Sequence, residues 1–356
     1  MMGSVIVPFF ISQQGCPHQC VFCNQQRISG ATGGVPSTAE ILARIAYYRE
    51  SAGNVPVEVA FYGGTFTNIP REVQERLLLP LQPLLASGAV VSVRISTRPD
   101  AIGSGVAEFL IGMGVRTVEL GVQSMDDEVL SLAGRGHTAT HAIDATRTLR
   151  RAGLSVGIQL MPGLPGDTAG KALASLDRVL ALGPEFLRIY PALVIAGTRL
   201  ADLYRSGDYQ PLPLADAVRI CKVMLHRALA ADVRVIRIGL QANVELDGGS
   251  VLAGPYHPAF RQLVESDICY DLLVKLVASR NAVSPVSVFC APSRVSDVVG
   301  QRRANLLRLS REHGVKVAAV RGDPLLSPLE IVVDQGNGMR KGNMVPDLEY
   351  GKGAAH

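Results

Sequence analysis

At 356 residues the chain has the length of one large α/β barrel or of two domains. Its 47% hydrophobic and 19% charged residues supply a sizeable core and exclude a disordered polymer, and a net charge of +4 with a pI near 8.8 permits a polyanionic partner without arguing for one. No apolar run reaches the roughly 20 residues of a membrane span, the opening MMGSVIVPFF lacks the basic start of a secretory signal, and six cysteines, three of them crowded, do not resemble a disulfide framework, so a reducing cytoplasm and no membrane are expected.

Ser4–Ile11 is apolar and rich in β-branched and aromatic residues, and reads as a first strand. The loop Gly15–Asn24 follows, with the sequence GCPHQCVFCN. Ser37–Arg49 reads as a helix, with Ser37 or Thr38 as N-cap and Glu40 in the first turn. Strands are then expected at Val57–Tyr62, Val90–Ser96, Arg116–Gly121, Leu154–Leu160 and Phe186–Tyr190, and helices at Arg71–Ala86, Gly105–Met113, His141–Ala152 and Thr168–Leu182. A strand–helix period of roughly 30 residues is the signature of a parallel sheet. Six such units suit an open (β/α)6 barrel, a partial TIM barrel whose C-terminal strand ends gather the site.

Beyond Pro191 the pattern changes. Helices at Asp216–Ala230, Ile268–Ala278 and near Ser296–His313, with strands at Val233–Leu240, Val286–Ala291 and near Lys316 and Leu329, make a small α/β region. Gln335–His356 is rich in glycine and charge without periodicity and is expected to be disordered. The expected division is a barrel core over 1–215, a C-terminal α/β extension over 216–334 and a tail over 335–356, without internal repeats or low-complexity tracts.

Cys16, Cys20 and Cys23 stand in a C-x3-C-x2-C spacing, while Cys221, Cys269 and Cys290 are isolated. Three thiolates on one loop can hold three irons of a 4Fe–4S cluster and leave the fourth open to a ligand. The alternative is a structural zinc with His18 or a distant cysteine as fourth ligand, although zinc motifs usually pair their cysteines twice. Gly63-Gly64-Thr65 follows a strand; its glycines let a ligand approach the backbone, or make an ordinary turn. Gln123 and Gln159 sit where strands end, with amides that can serve a ribose or a carboxylate, or only a neighbouring loop. Arg98 and Asp100, and Arg135 and His137, read as an anion clamp or as a brace at the barrel rim, with His137 also placed to start a helix. Tyr190 and His257, the latter between Pro255 and Pro258, are candidate catalytic residues, against the plainer reading of a loop packed on the barrel. Arg302, Arg303, Arg308 and Arg311 form a candidate phosphate-contacting face or a solvated one.

The cysteine spacing, with Phe22 before the last cysteine, resembles the radical S-adenosylmethionine (SAM) superfamily. The resemblance implies a cluster on Cys16, Cys20 and Cys23, with SAM bound at the open iron. It further implies reductive cleavage of SAM to a 5′-deoxyadenosyl radical that abstracts hydrogen from a substrate. A GGE-like turn in that superfamily bonds the SAM amino group, and Gly63, Gly64 and Thr65 match its GGTF variant. Gln123 lies in a GVQS run similar to that of the oxygen-independent coproporphyrinogen oxidases, whose acid at the second site is Gln159 here.

Over about residues 4–215, ISTRPD, GVQS, GRGHT and LRIYPALVIAGTRLADLYRSGDY together resemble the radical SAM core of the Elongator catalytic-subunit family. That similarity implies tRNA as a substrate and a reductant such as ferredoxin or flavodoxin. Two departures stand out. That family has a longer first cysteine gap, and its C-terminal acetyltransferase domain is not expected to fit in these 356 residues. Tetrapyrrole oxidation and a non-catalytic zinc- or RNA-binding module remain the alternatives.

Overall fold

The computed structural model describes residues 4–12, 14–24, 34–240, 246–277, 285–336 and 338–351. In chain order its strands begin with β1 Val5–Phe10, β2 Val57–Tyr62, β3 Ser92–Thr97, β4 Val115–Gln123, β5 Ser155–Leu160 and β6 Phe186–Ile189. They continue with β7 Val194–Ile195, β8 Arg234–Ile238, β9 Val251–Ala253, β10 Val286–Cys290, β11 Val317–Gly322, β12 Glu330–Asp334 and β13 Met339–Asn343.

The main sheet is parallel throughout and runs β1-β2-β3-β4-β5-β6-β8. The sheet is an open half-barrel with β1 and β8 as its edges. It holds seven strands where the sequence reading counts six. The strand expected at Val233–Leu240, assigned above to the C-terminal extension, is β8 and pairs with β6 instead. Helices cover the outer face. Ala139–Arg151 buries Ala142, Ala145 and Leu149, and Ala169–Leu180 buries Leu173, Leu176 and Val179, an apolar stripe at helical spacing in each case. The N-cap of Thr38–Ala52 is Ser37, in a capping box with Glu40. The helix expected at Arg71–Ala86 is broken into Arg71–Leu78 and Gln82–Ala86 by a 3-10 turn at Leu79–Leu81. Pro80 lies in this break and Pro83 in the first turn of the helix after it, and neither brings a backbone donor.

Side chains alternate across a strand, and here the alternation divides the molecule. Val59, Phe61, Val93, Ile95 and Val118 join the apolar core. Glu58, Arg94, Glu119 and Arg188 bond to one another on the other, inner face. Gly157 completes this face; a Cβ there would stand 2.2 Å from the Phe186 ring, which lies beneath the Arg94 guanidinium at 5.1 Å.

A second sheet, β11-β10-β12-β13, is mixed: β10 is parallel to β11 and antiparallel to β12, and β12–β13 is a hairpin. Helix Phe260–Val277 packs on it, with Leu272 and Leu276 against Gly342. The disordered tail expected from Gln335 is corrected here: Met339–Asn343 is a paired strand, and Tyr350 bonds Asp271 at 2.5 Å. Its polar residues hid the strand because β13 is a sheet edge, where Arg340 and Lys341 stay exposed. The expectations for 352–356, and for position 278 at the end of a helix, lie outside the described residues. Among the described residues no helix is long and apolar enough to cross a membrane.

Candidate active site

The C-terminal ends of the barrel strands open into a cavity of about 1200 Å³. Cys16, Cys20 and Cys23 all line it, and so do Gly63, Gly64, Thr65, Gln123, Gln159, Arg98, Arg135, Tyr62 and Tyr190. The residues read from seven separate stretches of sequence therefore share one mouth. His257 does not belong to this lining. Its Nδ1 accepts the Ala259 backbone N–H at 3.1 Å, just before helix Phe260–Val277. The two prolines that fix the His257 backbone aim it at the helix start, so the candidate catalytic role is not supported by its placement.

The cysteine loop is held by backbone. Val21 N–H bonds Ala133 O at 3.0 Å, Leu200 N–H bonds Val21 O at 2.7 Å, and Cys23 N–H bonds Cys20 O at 3.1 Å. Val21 and Phe22 anchor it in a small apolar cluster with Ala133, Leu164, Val194, Leu200 and Tyr209, against which Cys20 and Cys23 pack. This accounts for the run LVIAGTRLADLYRSGDY: it folds back over the cysteines. Gly64 serves the same loop. A Cβ on it would lie 2.6 Å from Ile11 O and 2.7 Å from Gln14 O, so the missing side chain admits protein backbone, as in the turn reading, while the residue still lines the cavity.

Side chains approach the Cys16 and Cys20 sulfurs. Thr65 Oγ1 lies 3.3 Å from Cys16 Sγ, and Arg135 Nη1 donates to Cys20 Sγ at 3.1 Å. Arg135 Nη2 donates to Gly121 O, and the Arg135 carbonyl accepts from Arg98 Nη2. Arg98 in turn grips Asp100 through two bonds of 2.9 Å, the brace rather than the anion clamp. His137 is not a helix start; Thr138 caps that helix with His141. Buried His137 places Nε2 3.2 Å from Val122 O, and burial together with the charges of Arg135 and Arg98 pushes its pKa down to about 3.

Gln123 takes a left-handed backbone, φ 71°, at a bulge between β4 and β5. A non-glycine residue held there costs on the order of 1–3 kcal/mol and is typical of sites that need a side chain aimed. Gln159 Nε2 donates to Gln123 Oε1 at 3.1 Å, which joins the two amides into one polar strip on the wall.

Below the rim lies a charged floor that the motifs did not announce. Glu119 accepts from Arg188 Nε at 2.6 Å and Arg94 Nη1 at 3.0 Å, and Arg94 also bonds Glu58 at 2.8 Å. Tyr62 donates to Glu119 at 3.3 Å, and Arg188 Nη1 donates to the Tyr190 hydroxyl at 3.2 Å. Burial and the neighbouring Glu119 raise the Tyr62 pKa, so its phenol keeps its proton. The available signal was a charge between apolar neighbours inside a parallel strand, as in VRIS, VELG and LRIY.

The expected basic face is largely neutralised. Arg308 pairs with Asp267 and Glu312, and Arg311 with Glu312, while Arg302 and Arg303 are exposed. Helix Ala304–His313 begins only after these two residues, both at positive φ, so the single helix expected near Ser296–His313 is broken there.

Sequence comparison bears on this cavity directly. The tRNA uridine(34) acetyltransferase of Methanocaldococcus jannaschii is 30% identical over 290 residues, 69% of this chain and 53% of that protein. Elongator complex protein 3 of Saccharomyces cerevisiae is 26% identical over 254 residues, 58% of this chain and 45% of that protein. The chain thus spans about half the length of the curated relatives it matches. The structure of Elp3 from the archaeon Methanocaldococcus infernus, with its N-terminus deleted, shares the fold at a TM-score of 0.61 and 22% identity, over 94% of this chain and 74% of that one. The radical SAM superfamily profile matches residues 10–179, and the radical SAM C-terminal domain profile matches 184–269. These two adjoining matches run from the cysteine loop through the barrel into the helix beneath the second sheet, and the chain belongs to the radical SAM superfamily.

Proposed function

We propose that this chain is a radical SAM enzyme that holds a 4Fe–4S cluster on Cys16, Cys20 and Cys23 and acts on tRNA. One observation carries the reading: three cysteines share a cavity mouth, with the Arg135 guanidinium donating to Cys20 and the Thr65 hydroxyl against Cys16, where it can donate to a thiolate. Donors on sulfur suit thiolates that carry a cluster's negative charge. Zinc motifs usually pair their cysteines twice, and the other three cysteines, Cys221, Cys269 and Cys290, are buried and do not line this cavity.

When bound, the cluster and SAM supply a reducing electron and a 5′-deoxyadenosyl radical that abstracts hydrogen from the substrate. The chain's own residues do the rest. Gly63, Gly64 and Thr65 form one wall for SAM, and Gln123 and Gln159 offer amides for its polar groups. Tyr62 and Tyr190 offer phenols on the substrate side, held by Glu119 and Arg188.

tRNA is the substrate class named for several relatives. The exposed Arg302 and Arg303 offer phosphate contacts outside the cavity. A ferredoxin- or flavodoxin-type protein in the cytoplasm would deliver the electron.

The test is anaerobic. Reduced with dithionite and given SAM, the protein is expected to release 5′-deoxyadenosine and to bind total tRNA in a filter assay with affinity that falls steeply with salt. Release of 5′-deoxyadenosine without tRNA binding at low salt would move the substrate to a small molecule enclosed by Tyr62 and Tyr190. Absence of both would sink the enzyme reading.

A further inference from the structure

We propose that Arg135 sets the reduction potential of the cluster through its hydrogen bond to Cys20. The inference rests on the cluster reading above and adds a role for a residue outside the cysteine motif.

Arg135 is 5% exposed, and a guanidinium does not lose its charge in a protein. A buried charge is costly unless an opposite charge faces it. Buried Arg98 has Asp100, and of the half-buried arginines Arg94 has Glu58 and Glu119 and Arg188 has Glu119. Arg135 bonds the Cys20 sulfur at 3.1 Å and a backbone carbonyl, its Nε is buried without a hydrogen bond, and no carboxylate pairs with it among the described residues. The anion that balances it is the thiolate-bound cluster.

The arginine is also fixed in place. Gly134 and Gly136 on either side have positive φ, and Gly136 lies so close to His18 that a Cβ would stand 2.3 Å from the imidazole. Its loop is thereby wrapped onto the cysteine loop, and Arg98 holds its carbonyl.

A cluster gains negative charge when it accepts an electron. A fixed cation with a hydrogen bond to its sulfur therefore favours the reduced state more than the oxidised one. Thr65 on Cys16 is a neutral donor and shifts the balance less.

The experiment is a dye-mediated redox titration followed by electron paramagnetic resonance, on anaerobic protein first assayed for iron and sulfide. Arg135→Gln is expected to shift the reduction equilibrium at least tenfold toward the oxidised cluster, about 59 mV lower for a one-electron couple. Arg135→Lys should recover most of that shift, and Thr65→Val should fall short of it. In the reduced wild-type protein, labelling arginine with 15N should produce a nitrogen coupling to the cluster in pulsed double resonance, a readout independent of any substitution. An unchanged midpoint in Arg135→Gln at equal iron content would overturn the proposal, as would the absence of the 15N coupling. Wild-type protein without iron and sulfide would instead overturn the cluster reading, and this proposal with it.

Discussion

The rim and the floor of the cavity are built differently. The rim is loop: the cysteine loop, Gly63-Gly64-Thr65 and the Arg135 turn are held to one another by backbone hydrogen bonds and by glycines with no room for a Cβ. The floor is strand: Glu119 and Arg188 line the cavity, Arg94 and Glu58 stand beside them, and the four project from four different strands and are held by one another and by Tyr62, Tyr190 and Ser92. A loop site needs special residues at consecutive positions, so it leaves a motif in the sequence. A strand site needs one residue per strand, and the partners become visible only when the sheet is assembled. The rim is thus suited to holding a cofactor common to a superfamily, and the floor to distinguishing one member's substrate from another's.

The largest effect should come from breaking the rim. Replacing Cys16, Cys20 or Cys23 by alanine is expected to abolish iron and sulfide loading and the brown colour, while the barrel keeps its fold because these side chains are exposed or half-buried. Cys221→Ala, Cys269→Ala and Cys290→Ala should each load normally. Those thiols are buried away from the cavity, and burial pushes Cys269 up to about 12 and Cys290 to about 11, which disfavours the thiolate a metal requires. Loss of iron in Cys290→Ala at unchanged solubility would refute this ligand set.

Breaking the floor should do the reverse. Glu119→Ala leaves Arg188, 14% exposed, without its carboxylate, and removing one member of a buried pair costs roughly 3–5 kcal/mol. The denaturant midpoint should fall accordingly while iron content per folded chain stays near wild type. Adding Arg188→Met should recover part of the loss, since it removes the stranded charge. If Glu119→Ala instead empties the cluster site without lowering stability, rim and floor are not separable.

The division also explains what could be read in advance. The parallel strand–helix alternation was visible because each helix carries an apolar stripe and each strand ends in glycine or polar residues, and β2 matches its expected bounds, Val57–Tyr62. The cysteines and the double glycine were visible as loop signals, and both glutamines as polar residues where strands end. β8 was misplaced because its sequence cannot say which strand it joins across the long helix Leu214–Ala230. β13 was missed because an edge strand can be polar. Arg135 was read as an anion clamp or a brace at the rim; that its partner is a cysteine sulfur depends on a fold-back over 115 residues, which no local pattern encodes.

The smallest expected effect concerns His137, which joins the rim turn to the end of β4. Its pKa lies near 3 in the folded chain against an ordinary 6.5, because charging it would place a third cation beside Arg135 and Arg98 in a buried site. The unfolded chain therefore takes up a proton that the folded chain refuses. The stabilising contribution is complete above pH 6.5 and is lost as pH falls toward 3, at roughly a kcal/mol per pH unit within that window. Asp167 acts in the opposite sense. Burial raises it to about 6, so between its ordinary 3.8 and that value folding gains from acid. Comparison with His137→Gln removes the Asp167 contribution, which both proteins share. Denaturation midpoints measured from pH 7.5 down to 5 should therefore fall more steeply in the wild type than in His137→Gln. The difference should open only below about 6.5, since above that pH neither state of the histidine binds a proton. Parallel slopes in the two proteins would mean that the His137 ring is charged in the folded chain, and that the turn carrying Arg135 tolerates another cation.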